Sequence, residues 1–147
     1  MFKHILVPTD GSRFSEEAVR HAVAFAKENG ARITAFFARP LTPVPSWKKF
    51  LLSNLSMEKS FEEAAGQEAN DILSSVEKLC QEAGVSCTKL VLTNDIVYEA
   101  IIQAATQSAC DMIFMASHGR HGIDALVLGS ETVKVLTHSR VPVLVYR

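Results

Sequence analysis

Short apolar runs alternate with helical patterns along this chain. Residues 2–7 are nearly all apolar and end at a Pro-Thr-Asp-Gly-Ser turn, as a buried parallel strand does before a loop. Ser15 is in position to cap the next helix, with Phe14 and Val19 in hydrophobic-staple positions. Gly30 ends this helix, whose predicted buried stripe is Ala18, Ala22, Phe25 and Ala26.

The same alternation continues to the end of the chain. Further strands are predicted at residues 31–38, 85–92, 111–116 and 141–146. Three further helices are predicted. One covers residues 57–82, the next begins after a cap at Asn94 or Asp95, and the last covers residues 129–137. Polar residues in 85–92 favour an edge position for that strand. The order predicts an α/β fold with right-handed crossovers and a parallel sheet covered by helices on both faces.

Two parts of the chain leave alternatives open. The connection at residues 41–56 is long and apolar, and it either packs on the core as a short helical turn or forms a lid or partner surface. Pro142 prefers a sheet edge, yet the strand from Val141 to Val145 is apolar. A homodimer through that strand satisfies both requirements. The alternative is an interior strand with Pro142 at its first position.

Composition narrows the possible partners and the compartment. The chain has 147 residues and a mass of 16.1 kDa, which suits one domain. A net charge of −1 provides no basic surface for nucleic acid or for an anionic membrane. The first apolar run is too short for a signal peptide and no run spans a membrane, so we expect a cytoplasmic protein.

The three cysteines do not suggest a disulfide framework or a zinc site. Their number is odd and no C-x-x-C spacing occurs, so we expect small core residues. The histidines do not predict a metal site either, because no cysteine or carboxylate completes a familiar ligand set beside His118 and His121.

The candidate chemistry lies where the strand at 111–116 stops. A short polar loop with glycines follows, and Gly129 and Ser130 then open a helix. Backbone N–H groups and a hydroxyl therefore converge at the positive end of a helix dipole, which suits a phosphate. We interpret this stretch as an anion-binding loop.

At this point the chain resembles the universal stress protein family. The resemblance rests on the segments KHILVPTDGS at 3–12, SHG at 117–119, LGS at 128–130 and VPVLV at 141–145, which occur in the family's order. It implies an open five-stranded sheet in the order 3-2-1-4-5, a homodimer through strand five, and ATP binding in many members. That strand order creates a switch point between strands one and four, where ligands of open α/β sheets bind.

The nucleotide-binding members carry G-x2-G-x9-G-[S/T]. Here the pattern reads Ala116-x2-Gly119-x9-Gly129-Ser130, with only the first glycine replaced. Alanine at 116 adds one methyl if the backbone has negative φ, and costs about 1 kcal/mol if φ is positive. Gly119 provides either positive φ or close phosphate approach. Glu131 is expected to compete with phosphate for the helix dipole, with Arg120 offsetting it.

The resemblance also implies where the nucleoside lies. Asp10 corresponds to the family's acidic residue near the adenine or ribose, and the alternative is that it only closes an Asx-turn. Ala38 falls where the family contacts adenine through backbone. The expected nucleotide-binding residues are Pro8, Thr9, Asp10, Ala38, Ala116, Ser117, His118, Gly119, Arg120, Gly122, Gly129, Ser130, Glu131 and Thr132.

Three functions follow as hypotheses. The first is a nucleotide-binding regulatory module whose ligand is ATP with Mg²⁺, or else AMP or cyclic AMP. The second is a dimeric scaffold of the same fold without nucleotide binding. An enzyme has least support, because the sequence contains no P-loop, dinucleotide fingerprint or nucleophile elbow and no general base is identifiable near the phosphates.

Overall fold

The computed structural model describes residues 1–41, 55–119 and 128–147, without the side chains of residues 55–62. These residues form five strands and four helices. The elements are β1 His4–Pro8, α1 Arg13–Asn29, β2 Arg32–Arg39, α2 Leu55–Ala83, β3 Cys87–Thr93, α3 Val97–Gln107, β4 Met112–Ala116, α4 Ser130–His138 and β5 Val143–Tyr146.

The five strands form one parallel sheet in the order β3-β2-β1-β4-β5. This confirms the predicted α/β fold, the strand order and the edge position of β3. Successive side chains of β1 point to opposite faces, so Ile5 and Val7 join one apolar cluster and Leu6 the other. Helices α1 and α2 cover the first cluster, and α3 and α4 cover the second.

The start of α1 differs from the prediction. The N-cap is Ser12, which is extended (φ −70°, ψ 161°) and accepts the Ser15 N–H through its hydroxyl at 3.3 Å. The prediction of Ser15 as the cap is wrong, because the chain offers two serines three residues apart and the earlier one takes the role. Phe14 therefore lies in the first turn and is 45% exposed. The predicted end at Gly30 is confirmed by its left-handed backbone.

The start of α3 also differs. Ile96 is the N-cap and makes no side-chain capping bond, so neither predicted cap holds that position. Asn94 Oδ1 accepts the Ile96 N–H at 2.9 Å, and Asp95 Oδ1 accepts the Leu41 N–H at 2.8 Å. The two polar side chains are used one step before the helix, which leaves the first turn of α3 to be capped from elsewhere.

Helix α2 is long and amphipathic, as predicted. Its buried face includes Ala69, Leu73, Val76 and Cys80, and it ends before Gly84, whose φ is +73°. Among the described residues no helix is both long and apolar enough to cross a membrane. Both interpretations of the 41–56 connection concern mostly residues 42–54, which lie outside the described part of the chain.

Strand β5 is at an edge of the described sheet. Pro142 comes just before it, and the Pro142 carbonyl accepts the Ile113 N–H at 2.9 Å. The Tyr146 carbonyl accepts the Ser117 N–H at the same distance. In a parallel ladder the backbone groups of alternate residues face one neighbour, so those of Val143 and Val145 point away from β4.

Candidate functional site

The loop after β1 is held by the carboxylate of Asp10. Its Oδ1 accepts the Ser12 N–H at 2.9 Å and the Ser15 hydroxyl at 2.8 Å. The first bond closes an Asx-turn, so the structural role considered for Asp10 is present. Both of these bonds are made to Oδ1.

Gly119 lies against the second oxygen of this carboxylate. A Cβ built on Gly119 would be 2.5 Å from Asp10 Oδ2, closer than real Cβ contacts come. The φ of Gly119 is outside the left-handed region, so the positive φ considered for this glycine is absent. The close approach that the structure shows is to the Asp10 carboxylate, and close approach to a phosphate stays a prediction. The loops after β1 and β4 therefore meet at the carboxyl ends of the two central strands, as the strand order predicts.

The start of α4 is fixed to the end of β4. The Gly129 N–H donates to the Ser117 carbonyl at 2.8 Å, and a Cβ on Gly129 would lie 3.0 Å from the same oxygen. The buried hydroxyl of Thr132 is 3.1 Å from the Ala116 carbonyl and 3.2 Å from that of Ser117. Three contacts thus hold the helix terminus in place, and glycine at 129 permits the approach.

Ala116 fits its position without backbone strain. It is the last residue of β4, is buried, and is in register with Tyr146. Among the described non-glycine residues only Ala109 has positive φ. The cost considered for alanine at positive φ therefore does not arise, and the replacement adds one methyl group to a strand end.

The side chain of Glu131 does not lie over its own helix terminus. Its Oε2 accepts the Tyr98 N–H of α3 at 2.9 Å, and Lys134 Nζ is 3.5 Å from its Oε1. The expected competition with phosphate at the start of α4 is thus relieved, because this carboxylate caps the neighbouring helix. Ser130 is exposed, and the first bond within α4 is donated by the Val133 N–H to the Gly129 carbonyl at 3.0 Å.

His118 is buried at the base of the loop. Its Nδ1 is 2.9 Å from the Ser117 hydroxyl, and its ring centroid is 5.9 Å from that of Phe14. These contacts link the loop after β4 to the first turn of α1. Within the described residues, no group of three or more His, Cys, Asp or Glu side chains is arranged to hold a metal ion.

The other residues predicted to bind nucleotide lie at the ends of β1 and β2 or outside the described part of the chain. Pro8 ends β1 in register with Phe36, and the buried Thr9 continues the pairing through an N–H bond of 2.9 Å to the Phe36 carbonyl. Ala38 is half-buried near the end of β2. Arg120 and Gly122 lie outside the described residues.

Sequence reasoning missed two residues of the crevice and one groove beside it. Ser15 anchors Asp10 and Phe14 contacts His118, and the only signal for the former was a second serine three residues after Ser12. An open groove of about 460 Å³ is lined by Gly11, Ala64, Gln67, Glu68, Asp71 and Ile72. Its two carboxylates make it less favourable for phosphate than the start of α4.

The fold and the crevice define a class: α/β proteins with an open parallel sheet and a crevice at the switch point. Residues 1–147 match the sequence model of the Universal stress protein family, and the chain belongs to that family. It is 33% identical over 153 residues to Universal stress protein MJ0531 of Methanocaldococcus jannaschii, covering 100% of this chain and 83% of the relative.

Solved structures share the fold. The protein MJ0577 has a TM-score of 0.79 and 26% identity, with 99% of this chain and 95% of that one covered. A universal stress protein in complex with cAMP has a TM-score of 0.71 and 21% identity over 99% and 97% of the two chains. An Arabidopsis thaliana family member with AMP bound has a TM-score of 0.69 and 15% identity over 97% and 90%.

Proposed function

We propose that this chain is an adenine-nucleotide-binding regulatory module of the cytoplasmic stress response. It binds ATP with Mg²⁺ in the crevice between β1 and β4, as a single domain that acts without turnover and as a homodimer. The observation that carries the proposal is the close approach of Gly119 to Asp10, because it joins the two loops from which the family's binding residues come.

The start of α4 supports a phosphate site. The N–H groups of residues 130–132 precede the first helical bond and lie beside the exposed hydroxyl of Ser130, whereas the Gly129 N–H is donated to the Ser117 carbonyl. Glu131 is engaged on α3, so the helix dipole is not neutralised by its own first-turn carboxylate. We assign the phosphates to Gly119, Gly129 and Ser130, and Mg²⁺ accompanies them as their counter-ion.

The β1 side of the crevice supports a nucleoside site. In our assignment the Asp10 carboxylate accepts hydrogen bonds from ribose hydroxyls, in addition to the bonds at Oδ1 that close the turn. Backbone near Ala38 contacts the adenine. The structural neighbours with bound cAMP and AMP support an adenine nucleotide, and the choice of ATP among such ligands is our proposal.

Nucleotide carried through purification tests this function. Protein purified without added ligand is denatured, and released nucleotide is identified by chromatography and mass spectrometry. We expect an adenine nucleotide from the parent and none from Gly129→Val, whose side chain would clash with the Ser117 carbonyl. Gly66→Ala is the matched control, since a Cβ there meets nothing within 4 Å. An empty parent that also binds no added ATP would favour the nucleotide-free scaffold.

The dimer is proposed to form through the edge of β5. Among the described residues no strand pairs with the outward backbone groups of Val143 and Val145 in this half-buried strand, and we propose them as the template for a second copy. Val145→Pro removes an outward N–H without removing a bond to β4, so light scattering should report a monomer. Val145→Ala keeps that N–H and should remain dimeric. A dimeric Val145→Pro variant would exclude pairing at this edge.

A further inference from the structure

Two cysteines lie where α2 turns into β3, at the opposite end of the sheet from the nucleotide crevice. Cys80 is in the last turns of α2, and Cys87 is the first residue of β3. The turn between them is compact: Gly84 has φ +73°, and the Val85 N–H donates to the Cys80 carbonyl at 2.8 Å. Six residues lie between the two cysteines, and the turn brings the start of β3 back against the end of α2.

The side chains on either side of the turn face each other. Glu77 is one helical turn before Cys80, and Lys89 is on the same face of β3 as Cys87. Lys89 Nζ is 2.9 Å from Glu77 Oε2, which fixes the helix face against the strand face. Cys80 belongs to the apolar cluster of this face and Cys87 packs against it. Cys80 and Cys87 therefore lie on the facing sides of α2 and β3, next to the Glu77–Lys89 pair.

The two thiols differ in accessibility and in acidity. Cys80 is fully buried, and Cys87 is half-buried. The neighbouring Cys80 thiol lowers the pKa of Cys87, and the neighbouring Cys87 sulfur together with burial raises the pKa of Cys80. Thiolate character therefore concentrates on the more accessible sulfur, which is the one that oxidants reach.

We propose that Cys80 and Cys87 form a reversible thiol–disulfide pair, with Cys87 as the reacting thiol and Cys80 as the resolving thiol. A peroxide is the oxidant. The Cys87 thiolate attacks one peroxide oxygen, the O–O bond breaks, and the departing hydroxide takes up a proton to become water. The Cys80 sulfur then attacks the sulfur of the Cys87 sulfenic acid and displaces hydroxide. This hydroxide takes up the Cys80 thiol proton and leaves as water. Two thiols and one hydrogen peroxide thus give one disulfide and two waters.

Cys110 is the internal control for this proposal. It is buried before β4, and burial raises the pKa of its thiol to about 11. It is therefore a poorer nucleophile than Cys87 at neutral pH. If peroxide oxidised every thiol of this protein without selectivity, Cys110 would be oxidised as well.

The test is treatment of the reduced, folded full chain with hydrogen peroxide, followed by alkylation of remaining thiols and peptide mapping. We expect loss of two of the three thiols, a linked Cys80–Cys87 peptide, loss of the mass of two hydrogen atoms, and reversal by dithiothreitol. Cys110→Ala should behave as the parent. In Cys80→Ala the Cys87 sulfenic acid should persist and be trapped by dimedone, and in Cys87→Ala the remaining thiols should stay reduced.

Two results would overturn the proposal. One is a parent chain in which Cys87 is oxidised to the sulfinic acid while Cys80 remains open to alkylation after unfolding. The other is a linked peptide that contains Cys110. Both are read on the parent and on Cys110→Ala, so the conclusion does not depend on the folding of the variant at the buried position 80.

Discussion

The carboxylate of Glu131 accepts the backbone N–H of Tyr98 at 2.9 Å, so an acidic residue in the first turn of α4 caps the start of α3. This contact joins two helices on one face of the sheet. It also explains how an acidic residue is tolerated beside a proposed phosphate site, because its charge is used on a neighbouring helix dipole.

Removing this charge should lower the stability of the fold and leave nucleotide binding unchanged. Glu131→Gln keeps an oxygen acceptor but loses the charge at the α3 terminus, so we expect the free energy of unfolding to fall by about 0.3–1 kcal/mol. ATP affinity should stay close to that of the parent, because this carboxylate is engaged on α3 and does not compete at the phosphate site. Urea unfolding and calorimetric titration measure the two effects. Glu17→Gln, exposed on α1, is the control and should change neither; equal stability of Glu131→Gln and the parent would contradict the capping role.

Two substitutions distinguish the role of Asp10 in the turn from its proposed role in binding. Asp10→Asn retains an acceptor for Ser12 and Ser15 and should fold as the parent does, yet it should bind ATP more weakly because the carboxylate is lost. Asp10→Ala loses both turn bonds, and we expect a cost of about 1–3 kcal/mol in unfolding free energy as well. If Asp10→Asn bound ATP as tightly as the parent, the residue would serve only the turn.

The pattern of apolar residues predicted the sheet and the alternation of elements, because strands buried on both faces and amphipathic helices leave strong periodic signals. The helix starts were less predictable. Ser12 and Ser15 are both residue types that cap helices. The side chains of Asn94 and Asp95 accept backbone N–H groups outside α3 and do not cap it. Residue preference does not distinguish such neighbours; the hydrogen bonds that their side chains make outside the helix do, as with Ser15 to Asp10 and Asp95 to the Leu41 N–H.

The sequence pointed to the candidate crevice but not to the contacts that form it. The spacing of Gly119 and Gly129 identified the loop, whereas the reason for each glycine is an approach between distant segments. Glu131 illustrates the same limit, since its partner Tyr98 is 33 residues away in sequence. A helix-terminus argument made along one segment therefore assigned its charge to the wrong helix.

The stability of this protein should depend on pH through His4. Its Nε2 is 2.7 Å from the Thr34 hydroxyl, and its buried Nδ1 has no hydrogen-bond partner among the described residues. Burial and the Arg32 charge lower the pKa of His4, and Asp111 opposes them. The unfolded chain then binds the proton at higher pH than the folded one does, so the free energy of unfolding decreases as the pH falls below about 6.5.

This dependence is measured by urea unfolding of the parent and His4→Gln between about pH 7.5 and 5.5. The variant, which retains a hydrogen-bonding group but cannot titrate, should lose less stability over this range than the parent. His138→Gln, at an exposed position, should follow the parent. Parallel curves for the parent and His4→Gln would exclude His4 as the source.

The central claim is that the crevice between β1 and β4 binds ATP, and isothermal titration of the folded chain with Mg²⁺ and ATP tests it most directly. The parent and Gly66→Ala should give saturable heat. Gly119→Val, which displaces Asp10, and Gly129→Val, which meets the Ser117 carbonyl, should give none while keeping their circular dichroism. No heat from the parent at millimolar ATP would contradict binding, and parent-like affinity in Gly129→Val would contradict the assigned site.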